Sequence, residues 1–172
     1  ELALNYQTTI VLCTATQPAL STSETFKEGL EGVREIIPDP AILYRIFKRV
    51  KTVKLPPLSD EELADRLNEC RQVLCIVNTR KHARQLYERL PDREGCFHLS
   101  ALMCPAHRTE VLDRIRAALA KGDPCRVIST QLVEAGVDID FPVVFRSIAG
   151  VDSIAQAAGR CNREGKLMEN GH

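Results

Sequence analysis

From Ser59 onward the chain alternates apolar runs with amphipathic ones at near-regular spacing, and this rhythm constrains the fold more than any other feature. Ser59 with Glu62 has the form of a capping box and opens a helix ending near Glu69. A strand over 72–77 follows, then a helix over 79–90 whose apolar stripe is Ala83, Leu86, Tyr87 and Leu90. After a turn over 92–95 come a strand over 96–99 and a helix that Pro105 opens and Gly122 stops. Its stripe is Val111, Leu112, Ile115 and Leu119. Strands over 126–129 and 142–148 follow, and Asp152 is the expected cap of the last helix. Strands that alternate with helices specify an α/β fold, a mainly parallel sheet with helices on both faces. At 172 residues the chain is long enough for one such domain with its own core.

The residues before Ser59 are less regular. The run 8–16, T-T-I-V-L-C-T-A-T, is β-branched and apolar and reads as a buried strand, ended by Gln17-Pro18. Residues 22–37 read as a helix with Phe26, Leu30 and Val33 on one side, broken by Pro38-Asp39-Pro40. The stretch 48–55, K-R-V-K-T-V-K-L, alternates basic and apolar residues and suits an edge strand with one wet face.

Formal net charge is zero, so bulk electrostatics do not draw this chain to nucleic acid, and any such contact rests on local placement of basic groups. Seven cysteines, none in a C-x-x-C pair and several inside apolar runs, read as reduced thiols of a cytoplasmic protein. Neither they nor His82, His98 and His107 have zinc-ligand spacing, and no metal site is expected. No apolar run approaches the length of a membrane span, so no membrane partner is expected. The chain opens without Met and reads as a piece of something longer.

Ligands of such sheets bind at the carboxyl ends of the strands. Asn78-Thr79-Arg80 stands where a strand becomes a helix, a place that suits an anion such as a nucleic-acid phosphate and equally suits Thr79 as a helix cap. Ser100, Arg108, Ser129 and Thr130 also follow strand ends, with hydroxyls and a guanidinium suited to phosphodiester oxygens; turn chemistry and a surface arginine are the plainer reading, and for His107 the preferred one. Gly136 fits a backbone conformation that other residues resist. Glu134, Asp138 and Asp140 lie close in sequence but lack a fourth ligand for a hard metal. The segment 153–165, S-I-A-Q-A-A-G-R-C-N-R-E-G, spaces Gln156, Arg160 and Arg163 by four and three, so a helix would bring them to one face. Two arginines one turn apart repel unless an anion lies between them, and planar guanidinium forks suit a polyphosphate; a solvated pair answered by Glu134, Asp138 or Asp152 is the alternative. Gly159 before the first arginine suggests close approach of another backbone or a ligand.

Q-A-A-G-R-C-N-R resembles motif VI of superfamily 2 helicases, S-T-Q-L-V-E-A-G-V-D-I-D resembles their motif V, and Thr14-Ala15-Thr16 resembles motif III. In order, and in their wording, they resemble the type I CRISPR-associated helicase-nuclease over nearly the whole chain. The resemblance implies a RecA-like three-layer domain. Residues 1–20 would be the last strand of a first RecA-like domain, and 21–172 the second RecA-like helicase domain. It implies Arg160 and Arg163 as arginine fingers, Gln156 as a link to the domain interface, Gly136 and Asp138 beside the nucleotide, and Thr14 and Thr16 as coupling residues. Asn78, Thr79, Arg80, Ser100, Arg108, Ser129 and Thr130 would contact single-stranded DNA.

ATP and Mg2+ are the implied cofactors. The other implied partners are the first RecA-like and nuclease domains of the same polypeptide and a CRISPR surveillance complex in a prokaryotic cytoplasm. The chain holds no G-x-x-x-x-G-K-[ST], no D-E-x-H and no nuclease cluster, so alone it is not expected to bind ATP tightly or turn it over. An RNA helicase of the same superfamily, and a non-catalytic α/β nucleotide- or partner-binding module, are the alternatives.

Overall fold

The computed structural model describes residues 5–13, 20–24, 26–30, 32–91, 93–134 and 136–167. The chain separates into two compact units, 1–41 and 42–172. In the first, the described part of the run 8–16 forms no strand, and Ile10, Val11 and Leu12 are exposed. An apolar run without a neighbouring ladder leaves its backbone groups to water, so the expected buried strand does not form here. The helix expected over 22–37 is also absent: turns and bends occupy its described residues, with an isolated bridge between Ser21 and Leu30. Gly29 and Gly32 explain this. A side chain on Gly29 would meet the Thr22 backbone, and Gly32 sits at φ +66°. Helix α1 (Pro40–Ile46) follows instead, with Pro40 as its first residue.

In the second unit, 48–55 has no regular secondary structure apart from a single bridged residue at Val50 and joins no strand of the sheet. With Lys48, Arg49, Lys51 and Lys54 exposed, the stretch has little apolar surface with which to anchor a ladder. From there the predicted rhythm holds. Helix α2 (Asp60–Glu69) carries the full Ser59–Glu62 capping box. Then come β1 (Gln72–Ile76), α3 (Arg80–Arg89) with Thr79 as N-cap, β2 (Cys96–Leu99), α4 (Pro105–Lys121), β3 (Cys125–Ser129), a 3-10 turn (Gln131–Val133), β4 (Val144–Arg146) and α5 (Val151–Ala158). Gly122 ends α4 in the left-handed conformation, at φ +72°.

The four strands are all parallel, in the order β2-β3-β1-β4. Successive residues of β1 point to opposite faces. Leu74 and Ile76 join Val111, Ile115 and Ala157 under α4 and α5, while Val73 and Cys75 join Leu67, Ala83 and Leu86 under α2 and α3. Both faces are therefore covered, and the sheet is the middle of three layers. All seven cysteines remain thiols, and burial pushes those of Cys75 and Cys125 up to about 12, which keeps them protonated. No helix among the described residues is long and apolar enough to cross a membrane.

Candidate functional site at the carboxyl edge of the sheet

The parallel sheet delivers the ends of β1, β2 and β3 to one edge, and most of the residues singled out in the sequence gather there. Asn78 follows β1, Ser100 follows β2 and Thr130 follows β3. Asn78 donates from Nδ2 to the Ile148 carbonyl at 2.9 Å and accepts from Arg146 Nη1 at 2.6 Å, so its side chain ties β1 to the loop after β4. Thr79 is a helix cap, its hydroxyl oxygen accepting from the His82 N–H. Arg80 opens α3 and is exposed, and Arg108 lies half-buried near the start of α4. Ser100 accepts from the Leu102 N–H at 3.3 Å.

Ser129 departs from the expected placement. It is the last residue of β3 rather than a loop residue, it is fully buried, and its hydroxyl donates to the Leu99 carbonyl at 3.3 Å. Its side chain links two strands and does not face the edge. Thr130, the next residue, is nearly buried. Gly136 adopts φ +70°, the conformation anticipated for it, with open space where a side chain would stand.

Gln156, Arg160 and Arg163 do not share one helical face. Helix α5 begins after Gly150, with no side-chain cap, so Asp152 sits inside the first turn instead of capping it. The helix then stops at Ala158 with Gly159 as C-cap, leaving Gln156 half-buried on its last turn and both arginines beyond it. Gly159 has an ordinary φ of −66°, and the nearest atoms to an added side chain are carbonyls of its own helix, so among the described residues no foreign backbone approaches it.

The two arginines occupy different settings. Arg160 turns inward: Nε donates to the Val133 carbonyl at 2.8 Å and Nη2 to the Glu134 carbonyl at 2.7 Å, so its fork closes the 3-10 turn after β3. Burial, then the nearby Arg163, lowers its affinity for its proton. Arg163 stays half-exposed, with Nη1 at 3.1 Å from Asp138 Oδ1. The Asp138 backbone carbonyl is itself held by Arg116 Nε of α4 at 3.2 Å.

The Arg163 turn is fixed by residues whose part sequence reasoning missed. Asp140 accepts the N–H groups of Arg163 and Glu164 at 2.7 and 3.1 Å. Asn162 is buried at φ +46° and donates to the Arg49 carbonyl, while Arg49 Nη1 donates to the Arg163 carbonyl at 2.6 Å. Phe141 and Cys161 form a parallel bridge that carries one end of this turn onto the segment before β4.

Also missed was Arg146 in β4. It is nearly buried and meets Glu134, equally buried, at 2.8 Å from Nε to Oε1, an ion-pair contact without hydrogen-bond alignment. A charged residue inside a parallel strand was the available signal, since such strands are ordinarily apolar. The carboxylates of Glu134, Asp138 and Asp140 thus take different partners: Arg146, Arg163 and backbone N–H groups. Thr14 and Thr16 lie outside the described residues.

An all-parallel sheet with helices on both faces, carrying a Q-x-x-G-R-x-x-R segment that runs off the end of its last helix, is a RecA-like domain of the superfamily 2 helicases. Residues 69–166 match the family described as CRISPR-associated nuclease/helicase Cas3, C-terminal, and the chain belongs to that family. It is 58% identical over 48 residues to the CRISPR-associated nuclease/helicase Cas3 of Haloferax volcanii, a match covering 28% of this chain and 5% of that protein. It is 30% identical over 118 residues to that of Methanothermobacter thermautotrophicus, covering 64% of this chain and 14% of the relative. The chain is thus similar to a small part of each. Among solved structures it resembles T. fusca Cas3-ATP, with a TM-score of 0.53 at 25% identity over 67% of this chain and 15% of that one. It shares a fold with the DUF1998 helicase MrfA bound to DNA, with a TM-score of 0.51 at 21% identity over 65% of this chain and 18% of that one.

Proposed function

We propose that this chain is the second RecA-like domain of an ATP-dependent single-stranded DNA translocase and helicase-nuclease, acting in type I CRISPR immunity. The observation that carries the reading is Arg163. Its guanidinium is half-exposed at the carboxyl edge, its backbone is pinned by Asp140, and its one ion-pair partner among the described residues is the exposed carboxylate of Asp138. A planar cation held this way is preorganised for a phosphate, with little reorganisation at the moment of reaction.

The donor set fits a nucleotide. Arg163 would take phosphate oxygens, the Asp138 carboxylate would accept from ribose hydroxyls, and Gly136 leaves room for a close approach. Bound ATP supplies the phosphoryl group whose transfer drives translocation. Arg160 serves in a second way, by fixing the turn that precedes Asp138 while its charge remains beside Arg163. Mg2+ and most nucleotide contacts belong to the partner RecA-like domain, since this chain has no P-loop and no D-E-x-H.

Asn78, Thr79, Arg80, Ser100 and Thr130, which follow the ends of three neighbouring strands, and Arg108 in the first turn of α4 form this domain's part of the DNA track. Ser129 supports that track from beneath, through its bond to Leu99. The chain spans only a minor part of its relatives, so the test uses the full-length protein. Steady-state ATP hydrolysis is measured with saturating single-stranded DNA and, separately, with single-stranded RNA. Stimulation by DNA is expected; stimulation by RNA alone would give the reading to the RNA helicases.

A further inference from the structure

A groove of about 650 Å³ runs beside α3 toward β2, outside the cluster around Asp138 and Arg163. Arg80 and Lys81 line it at the α3 N-terminus, Arg84 in mid-helix, and Arg93 just ahead of β2. Because α3 runs back from the carboxyl edge, these cations form a row leading away from Asn78 and Ser100. From Arg80 to Arg84 the row extends about 6 Å along α3, and Arg93, over Tyr87, carries it to about 10 Å at a rise of 1.5 Å per residue.

The groove carries a charge surplus that its one lining carboxylate, Glu88, answers only in part. Among the described residues no carboxylate lies within ion-pair distance of Arg80, Lys81 or Arg93; Glu88 pairs with Arg84, at 2.8 Å. The wall is aromatic: Arg93 lies over the Tyr87 ring, which stacks on His98 with centroids 5.7 Å apart. His98 Nε2 is buried without a hydrogen-bond partner, and Leu102 stands 77% exposed at the rim. A row of cations, three of the four without an ion pair among the described residues, beside an aromatic and apolar wall is the composition that tracks a single strand, phosphates on the cations and sugars or bases on the apolar surface.

We infer that the α3–β2 groove binds the backbone of single-stranded nucleic acid as it leaves the carboxyl edge, with Lys81, Arg84 and Arg93 as phosphate contacts. This rests on the reading of the edge as part of a DNA track, and lengthens that track along the outer strand.

The test compares wild-type full-length protein with a triple variant, Lys81→Ala, Arg84→Ala and Arg93→Ala, and with Thr130→Ala. Anisotropy of labelled oligodeoxythymidine, in a short and a long form, is followed across a salt series without nucleotide. The three lysine and arginine side chains are exposed, so folding should be nearly unchanged. Each lost single-strand phosphate contact flattens the slope of log K against log salt by about 0.7, so the triple variant should be shallower by about 2. The loss should fall mainly on the long oligonucleotide. A wild-type slope in the triple variant, with weakened binding in Thr130→Ala, would overturn the groove and leave the edge intact. Unchanged binding in both variants would overturn the groove and the DNA track together. If a polyglutamate peptide binds through these residues while the oligonucleotide does not depend on them, the groove serves a protein and the inference fails.

Discussion

The two flanks of the carboxyl edge use arginine in opposite ways. On the β4 side, Arg146 is buried against Glu134, Arg160 is bonded to two carbonyls, and Arg163 is paired with Asp138. On the β2 side, Arg80, Lys81 and Arg93 face open space without an ion pair among the described residues. The first arrangement fixes positions before any ligand arrives. The second leaves a surplus of positive charge that an incoming anion can neutralise. A reaction centre needs the former, because small misplacements of a catalytic cation cost rate. A track over which a polymer slides is served by the latter, because sequence-independent charge contacts to phosphates let a protein move along its nucleic acid.

The contrast is broken most severely at Arg146. Arg146→Ala leaves the Glu134 carboxylate buried beside an empty space and removes the hydrogen bond to Asn78. The loss of one partner from a buried pair is expected to cost about 3 to 5 kcal/mol, read as a lower midpoint in urea unfolding. Replacing both partners, Arg146→Met with Glu134→Leu, should recover most of it, since no uncompensated charge remains. If Arg146→Ala unfolds like wild type, the β4 flank is not held by this pair.

How far the sequence discloses this edge depends on the range of the interactions. Local signals are legible: the Ser59–Glu62 box, Thr79 as a cap, Pro105 and Gly122 at the two ends of α4, and the positive φ of Gly136 each depend on a few adjacent residues. The spacing of Arg160 and Arg163 is also visible, but not their divergence. That depends on α5 stopping at Ala158 and on carbonyls 26 and 27 residues away. The Arg146–Glu134 pair is hidden for the same reason, since only the return of the chain from β3 to β4 brings its members together. Ser129 reads as a loop hydroxyl because a strand end and a loop start have the same composition, and the bond to Leu99 exists only once β2 and β3 pair. Before Ser59 the apolar pattern is present, but the described residues of 8–13 have no ladder to join and Gly29 and Gly32 interrupt the next helix.

Arg160→Lys sharpens the comparison at an intermediate magnitude. An ammonium is a compact point charge and cannot reproduce a planar fork that serves two carbonyls, so at least one charge-assisted hydrogen bond is lost. A cost of about 1.5 to 3 kcal/mol in unfolding free energy is expected, with reduced ATP turnover in the full-length protein. Wild-type stability in this variant would show that the inward fork is dispensable and would return Arg160 to the same standing as Arg163.

Arg163→Lys has the smallest expected effect on folding and separates chemistry from charge. The Arg163–Asp138 pair is exposed on both sides, and such pairs contribute roughly 0 to 1 kcal/mol and tolerate the exchange. The turn itself depends on the Arg163 and Glu164 backbone N–H groups on Asp140, which the substitution leaves in place. Unfolding should therefore shift by less than about 1 kcal/mol. Turnover should behave differently. If the guanidinium meets a phosphoryl group in transfer, a hydrated ammonium at the end of a flexible stem misplaces the charge, and ATP hydrolysis with saturating single-stranded DNA should fall by about 10-fold or more. Unwinding should fall in step, because translocation runs on the same cycle. The control is Asp138→Asn, which removes the ion pair but keeps the guanidinium. It should also leave folding nearly unchanged, and its turnover should fall less than that of Arg163→Lys if the fork itself does the chemistry. Wild-type turnover in Arg163→Lys would make the pair a surface ion pair and nothing more, and the β4 flank would then be rigid without being catalytic.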